Sequence, residues 1–337
     1  MGHPYDWNQI ADAPQGAPHA HFGDPRRELE AARSGAVICP LSHFELLRFS
    51  GVDAQSFLQG QLTCDVLQVT PTAARYGGYC TPKGRLIADF LLMRTPQAYL
   101  MHLPADSWAM LAERLRKFVL RTKVEIGRET TLRAIGIAGP EAVALLRQSV
   151  GEPPRLALES VQYASATLLR LPGAAFLAIA PQPDMAGLWD LLARQATPAG
   201  MDCWNWLQIH AGIPWISAAT REQFVPQMVA LDAIGGVDFQ KGCYPGQEIV
   251  ARTHYLGEVK RALRFGHGEG PATAGDVLLR ADGLSVGMVV NAAPAPDGGT
   301  DLLAVVQTDT DGEQPRLRSA DGPAVRISQP SGARAES

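Results

Sequence analysis

Residues 239–252 read Phe-Gln-Lys-Gly-Cys-Tyr-Pro-Gly-Gln-Glu-Ile-Val-Ala-Arg. They set one cysteine, Cys243, two residues after Lys241 and between Gly242 and Gly246, just ahead of a predicted helix. Glycine lets the backbone turn tightly or approach another group closely. Pro245 suits the first turn of a helix, where its missing N–H is not needed. A thiol at a helix N-terminus beside a cation is stabilised as the thiolate, which is the nucleophile and the metal ligand. On this reading Cys243 carries chemistry and Lys241 lowers its pKa. The other reading makes Cys243 a small buried residue, since free cysteines are among the most buried side chains. The sequence keeps both open. Asp89, inside the apolar run Arg85–Met93, reads as a strand-face carboxylate paired with Arg85 or Lys83.

The elements that must hold these groups follow from patterning. Phe44–Phe49, Arg85–Met93 and Ala98–Leu103 read as strands, the last two around a Thr95-Pro96-Gln97 turn. Asp53 reads as the N-cap of a short helix through Phe57 and Leu58. Asp106–Val119 has helical periodicity, with Trp108, Leu111, Leu115, Phe118 and Val119 on one face. Further strands are predicted near 131–138, 165–171 and 174–180, and helices near 140–149, 184–195 and 203–211. From Val259 the helical period gives way to short apolar runs separated by Gly, Pro and Asp turns, the pattern of a small all-β barrel or sandwich. The composition breaks near 260–265. Residues 1–35 read as an irregular extension.

The chain has 337 residues, 46% hydrophobic and 19% charged, with a formal net charge of −4. That is enough chain for two or three cores, and its overall charge does not drive nucleic-acid binding. The basic run Arg114–Lys123 reads as the wet face of a helix. Five cysteines, at 39, 64, 80, 203 and 243, are scattered and lack a C-x-x-C pair. This excludes a disulfide framework and a self-contained zinc or cluster site, so no metal ligands are assigned. No apolar run reaches the length of a membrane span, and the N-terminus has no secretory pattern. A cytoplasmic protein is expected.

The 239–252 segment, with Phe224-Val-Pro-Gln227 before it and Tyr255-Leu-Gly257 after it, resembles the folate-binding YgfZ family, which is related to the aminomethyltransferase T-protein of glycine cleavage. Phe57-Leu-Gln-Gly-Gln-Leu-Thr-Cys-Asp65, Pro82-Lys-Gly-Arg85 with Asp89, and Ile209-His-Ala-Gly-Ile-Pro214 agree in order. The resemblance spans about residues 36–330. It implies an α+β fold with two subdomains around a central channel, and a C-terminal β-barrel. The implied domains are the 1–35 extension, a folate-binding region 36–262 and a barrel 263–330. Within 36–262 the subdomains interleave, approximately 51–129 and 36–50 with 130–262. The implied cofactor is tetrahydrofolate or a one-carbon derivative. The implied role is support of iron–sulfur cluster assembly or repair, with an indirect effect on tRNA modification. The implied partners are assembly factors or cluster-dependent enzymes; no direct nucleic-acid contact and no membrane are expected.

Residue by residue, Cys243 matches the signature cysteine, and Lys241, Tyr244 and Gln247 match its frame, with Tyr244 and Gln247 carried over as cofactor-facing. Trp204 falls where such proteins place a folate-contacting tryptophan; packing of its own helix is the alternative. Phe44 stands at the position of a second tryptophan and keeps only the aromatic surface. His210 replaces an acid that would accept two hydrogen bonds from a pterin, whereas a neutral imidazole accepts one. T-proteins carry adjacent aspartates where this chain has Ala88-Asp89, so aminomethyl transfer is in doubt, while the resemblance leaves Asp89 as the residue to orient a ligand or act as the acid or base. Two alternatives stand beside the accessory role: a tetrahydrofolate-dependent transferase using Asp89, and a docking scaffold without small-molecule chemistry.

Overall fold

The computed structural model describes Trp7 and residues 19–257, 260–310 and 314–329. Helix α1 (Pro25–Ser34) leads into β1 (Val37–Pro40), β2 (Phe44–Ser50), α2 (Ala54–Gln59), β3 (Arg75–Cys80), β4 (Leu86–Arg94), β5 (Tyr99–Pro104) and α3 (Trp108–Arg116). Next come β6 (Glu125–Arg128), β7 (Leu132–Ala138), α4 (Ala142–Ser149), β8 (Ser160–Tyr163), β9 (Ala166–Leu171), β10 (Ala175–Pro181), α5 (Gln182–Leu192), β11 (Thr197–Pro198), α6 (Met201–His210) and α7 (Gln247–Leu256). The C-terminal part holds β12 (Arg261–Gly268), β13 (Val277–Leu279), β14 (Ser285–Pro294), β15 (Thr300–Gln307), β16 (Arg316–Leu317) and β17 (Val325–Ser328).

Three sheets form. One runs β11-β1-β7-β10-β9-β8, a second β3-β4-β5-β2-β6, and the third β16-β13-β14-β15-β12-β17. The third curls on itself, and a bridge between Arg316 and Ala324 draws its two edges together. Side chains alternate across each strand, and the alternation sorts them between cores. On β4, Ala88, Phe90 and Leu92 face α2 and α3, while Leu91 and Met93 face a larger shared core. Asp89 is in phase with Leu91 and Met93, so it points into that shared core. Phe44 and Leu46 of β2, Tyr76 of β3 and Leu100 of β5 share it. The first sheet contributes Val37, Cys39, Leu177 and Ile179, and the third contributes Val290, Leu303 and Val305.

Helix α6 lies inside this core and is buried on both sides, through Cys203, Trp204, Trp206, Gln208 and Ile209. Trp204 is 2% exposed and seats its ring over Gly136 of β7. A Cβ at position 136 would overlap three ring carbons. Gly136→Ala is therefore expected to destabilise the protein by about 2 kcal/mol, the usual scale of overpacking, measured as a lower denaturation midpoint. An unchanged midpoint would mean that Trp204 is not seated this way.

Three local expectations differ from what is observed. The 1–35 stretch is not irregular throughout, because residues Pro25–Ser34 are helical. Asp24 caps that helix through the Arg27 amide, with Pro25 in its first turn. The predicted 106–119 helix ends at Arg116. Lys117 and Phe118 bond back three residues, to Arg114 and Leu115, tightening the last turn, and Phe118 emerges half-exposed. Pro245 lies before helix α7 rather than inside it, and the N-cap is Gly246 at φ 83°.

Candidate functional site

The signature loop is built around Asp238, whose Oδ1 accepts from the amides of Gln240 (2.7 Å) and Lys241 (2.9 Å). This turn sends the Lys241 side chain inward. Its ammonium donates to three backbone carbonyls, those of Gln59 (2.8 Å), Leu62 (2.6 Å) and Cys64 (2.8 Å). An ammonium has three hydrogens, so none remains for the Cys243 sulfur. Burial pushes the Lys241 pKa down, against the attraction of Cys64, Asp65 and Asp238. The Tyr244 ring lies 5.3 Å from the Lys241 nitrogen and is buried. Gly246 rests on the β3–β4 hairpin, where a Cβ would strike the Thr81 carbonyl and Gly84. With Lys241 and Tyr244 pinned on either side, Gly242 and Cys243 are left outward. Cys243 is exposed, four residues ahead of α7, whereas Cys39, Cys64, Cys80 and Cys203 are buried. Burial drives the Cys64 and Cys80 thiols up to about 12. Gln247 opens α7, half-buried, with its amide on the Tyr244 carbonyl at 3.2 Å.

A second group converges on Asp89. Its Oδ1 accepts from the Ile216 amide at 2.7 Å. Arg85 does not pair with it but donates to the Gln223 carbonyl at 2.6 Å. Complete burial raises the Asp89 pKa from 3.8 to about 7, against the bond from Ile216. On the same face Phe44 stacks on His102 at 4.5 Å and meets Trp215 edge-on at 4.8 Å. Tyr76 lies 6.2 Å from Trp215. The Tyr76 hydroxyl, the Trp215 indole nitrogen and both ring nitrogens of His102 are buried without a hydrogen-bond partner, whereas the buried His43 has the Asn205 side chain beside it. Burial holds both histidines neutral, down to about 3. Buried polar groups in proteins are nearly always satisfied, so such a concentration marks a place where something else supplies partners. A pterin is flat, aromatic and rich in donors and acceptors along its edge, and this set fits it: aromatic faces and edges, an O–H, an N–H and a carboxyl group. His43, His102, Tyr76 and Trp215 escaped the sequence reading. Strand pairing brings His102 beside Phe44, with Leu46 opposite His102, and Trp215 arrives from the loop after α6.

Trp204 and His210 sit elsewhere in the core. Trp204 has both faces covered, consistent with the packing alternative. His210 Nε2 meets Asp301 Oδ2 at 2.8 Å, Trp206 donates to the same oxygen at 2.8 Å, and His267 Nδ1 meets Oδ1 at 2.7 Å. Burial raises the Asp301 pKa, but the bonds from His210, His267 and Trp206 outweigh it and hold the group below the usual carboxylate range. An acid thus stands directly behind His210, supplied by β15. A cavity of about 570 Å³ opens on the outer face of the first sheet beside Leu146, Tyr163 and Leu188, and no signature residue lines it. Among the described residues no three His, Cys, Asp or Glu side chains could jointly hold a metal ion, and no helix is long and apolar enough to cross a membrane.

Comparisons with known proteins fit this geometry. Residues 7–239 match the GCVT N-terminal domain family. The chain is 34% identical over 292 residues to the tRNA-modifying protein YgfZ of Colwellia psychrerythraea (strain 34H), covering 83% of this chain and 87% of that protein. It is 32% identical over 293 residues to the protein of the same name from Escherichia coli O157:H7, covering 85% and 90%. The crystal structure of glycine cleavage system aminomethyltransferase T from Bartonella henselae superposes with a TM-score of 0.79 over 98% of this chain and 96% of that one, at 18% identity. At that identity the likeness shows the fold, and it bears out the α+β T-protein arrangement expected from the sequence. The chain belongs to the YgfZ family, built on a GCVT N-terminal domain.

Proposed function

We propose that this protein binds a reduced folate against the Asp89 face and uses the exposed Cys243 thiol to support iron–sulfur cluster assembly or repair in partner proteins. The observation that carries the folate part is the set of buried, unpartnered polar atoms on Tyr76, Trp215 and His102 on the Asp89 face. Phe44 and Trp215 would form the apolar walls of the site. Tyr76 and Asp89 would fix the orientation of the ring, and Tyr244 and Gln247 would close it from the signature loop. Tetrahydrofolate, when bound, supplies a one-carbon carrier. Cys243 is the only exposed thiol among the described residues, so any sulfur–iron or sulfur–carbon contact with a partner falls to it. The names of the curated relatives point to a consequence in tRNA modification, which fits failure of a cluster-dependent enzyme.

Two variants test the reading. Tetrahydrofolate titrated into the protein should quench tryptophan fluorescence. Tyr76→Phe should weaken binding about tenfold, the scale of one lost buried hydrogen bond. Cys243→Ser should bind folate like the wild type and fail to rescue a strain lacking the gene. Full rescue by the serine variant would remove the thiol from the function, and wild-type affinity in Tyr76→Phe would move the ligand elsewhere. A second reading, folate-dependent one-carbon transfer, is favoured by the complete burial of Asp89, which pushes its pKa up to about 7, the range suited to a general acid–base group. Turnover of a methylamine donor with purified protein and tetrahydrofolate would select it.

A further inference from the structure

The corner formed by residues 51–53 and 116–123 has no part in the folate face or the signature loop. We propose that it is a docking surface for a partner protein segment that presents apolar side chains flanked by carboxylates. Val52 is 82% exposed, Leu120 86% and Phe118 50%. Isolated surface apolar residues are ordinary, but a grouped set marks an interaction site. Backbone contacts tie the 51–53 turn to Lys123, at the end of the stretch that carries Phe118 and Leu120. The Asp53 amide donates to the Lys123 carbonyl at 3.4 Å, and the Lys123 amide donates to Asp53 Oδ2 at 2.7 Å. Gly51, at φ 108°, lies so close to the Lys123 carbonyl that a Cβ would overlap it. On the other side, the Phe118, Val119 and Leu120 amides bond back to Leu115, Arg116 and Phe118. The turn is therefore fixed, and its apolar side chains are held outward without a covering element.

Charge selects the occupant. The Arg116 guanidinium donates to the Ile126 carbonyl at 2.8 Å. Neither it nor Arg121 or Lys123 has a carboxylate partner among the described residues. Lys117 pairs with Glu113 at 3.3 Å, and Arg114 with Glu222 at 3.4 Å. The local carboxylates are Asp53, turned onto the Lys123 amide, Glu113, committed to Lys117, and Glu125. Arg116, Arg121 and Lys123 thus have no carboxylate within ion-pair distance among the described residues, and the 114–123 segment carries five cations beside the local Asp53, Glu113 and Glu125, on a chain whose net charge is −4. Val52 and Leu120 are aliphatic and have no face on which a nucleobase would stack, the usual basis of single-strand binding. An apolar centre with a charged rim is the anatomy of a protein–protein contact, and the cations call for acids opposite them.

A peptide library of about a dozen random residues, displayed on phage and selected against the whole protein, supplies the probe. Selected peptides should carry Asp or Glu around Leu, Phe or Trp. Their affinity should fall at least about tenfold in Val52→Asp and in Leu120→Asp, and several-fold between about 50 and 300 mM salt. Both side chains are exposed, so an unchanged circular dichroism spectrum is expected for each variant. Peptides that bind both variants as tightly as wild type, or a selection that yields none, would overturn the proposal. So would retention of bulk tRNA that is lost in Arg121→Glu and intact in Val52→Asp, which would make the corner an RNA face. The test does not involve folate or Cys243, so its outcome is independent of the proposed function.

Discussion

Lys241→Met should lower the stability of the protein by about 3 kcal/mol, with a fall of several degrees in apparent Tm, while leaving Cys243 as reactive as before. The ammonium satisfies the carbonyls of Gln59, Leu62 and Cys64, which close the end of helix α2 and the turn after it. Methionine fills much of the same volume but donates nothing. Each half-buried carbonyl then loses a charge-assisted bond of about 1.5–3 kcal/mol, less what water can replace. Lys241→Arg should not restore the loss, because a planar fork cannot meet three carbonyls arranged around a point charge. The check is twofold: thermal denaturation, and the rate at which iodoacetamide alkylates Cys243 across pH. If Lys241 acted on the sulfur, the methionine variant would shift the alkylation profile to higher pH and leave Tm nearly unchanged. Reversal of the two readouts would therefore restore the role that sequence spacing suggests.

That prediction also shows where reading the sequence stops. The spacing of Lys241 and Cys243 is visible in one line of text, but the three acceptors of Lys241 are backbone atoms in another segment, and a carbonyl leaves no mark on residue type. Strands were legible wherever period and turn residues agreed, as at Leu86–Arg94 and Tyr99–Pro104. The helix start at Asp24-Pro25 went unread, because the highly charged α1 masks its apolar face. Phe118 fitted the apolar stripe of α3 by period alone, and only the tightening of the last turn puts it outside. Trp204 and Trp215 illustrate the same limit in the core. Both are large aromatics in plausible places. The absence of a side chain at Gly136 settles the packing of one, and the register of β2 with β5 puts His102 beside the other. Aromatic character was legible; which aromatic keeps an unpaired polar edge was not.

His210 shows how the structure reshapes a departure that the sequence treats as a loss. An imidazole in place of an acid removes one acceptor, but Asp301 Oδ2 sits 2.8 Å behind it and also receives Trp206. Asp301 of β15 supplies a carboxylate beside His210, and it ties the central helix to the third sheet through Trp206 and His210 while also bonding His267. Its negative charge is buried together with three donors, the condition under which a buried ion is tolerable. The packing of α6 on the third sheet is thus held by a polar network as well as by apolar contact.

Asp89→Asn should make the protein more stable than wild type at alkaline pH, and the gain should shrink as the pH falls. The carboxyl of Asp89 is buried with one hydrogen bond, from Ile216, and its pKa is raised from 3.8 to about 7. A raised carboxylate pKa means that the folded state binds the proton more tightly than the unfolded chain. The resulting stabilisation is complete below about pH 4 and is lost as the pH rises through about 7. Asparagine keeps an oxygen for the Ile216 amide and carries no charge to bury. The variant should therefore gain several kcal/mol (roughly 3–5) over wild type at pH 8 and clearly less at pH 5. Denaturant unfolding at the two pH values measures both. A constant difference, or a less stable variant, would mean that Asp89 is ionised and paired in the folded protein. Tetrahydrofolate adds a second readout. An N–H donated by the ligand to this carboxylate would favour its charged form. Saturating folate should then stabilise wild type more at pH 8 than at pH 5, after correction for the ligand's own ionisation, and should stabilise the asparagine variant equally at both. Equal stabilisation of wild type at the two pH values would place the bound folate out of reach of Asp89, and with it the binding face proposed here.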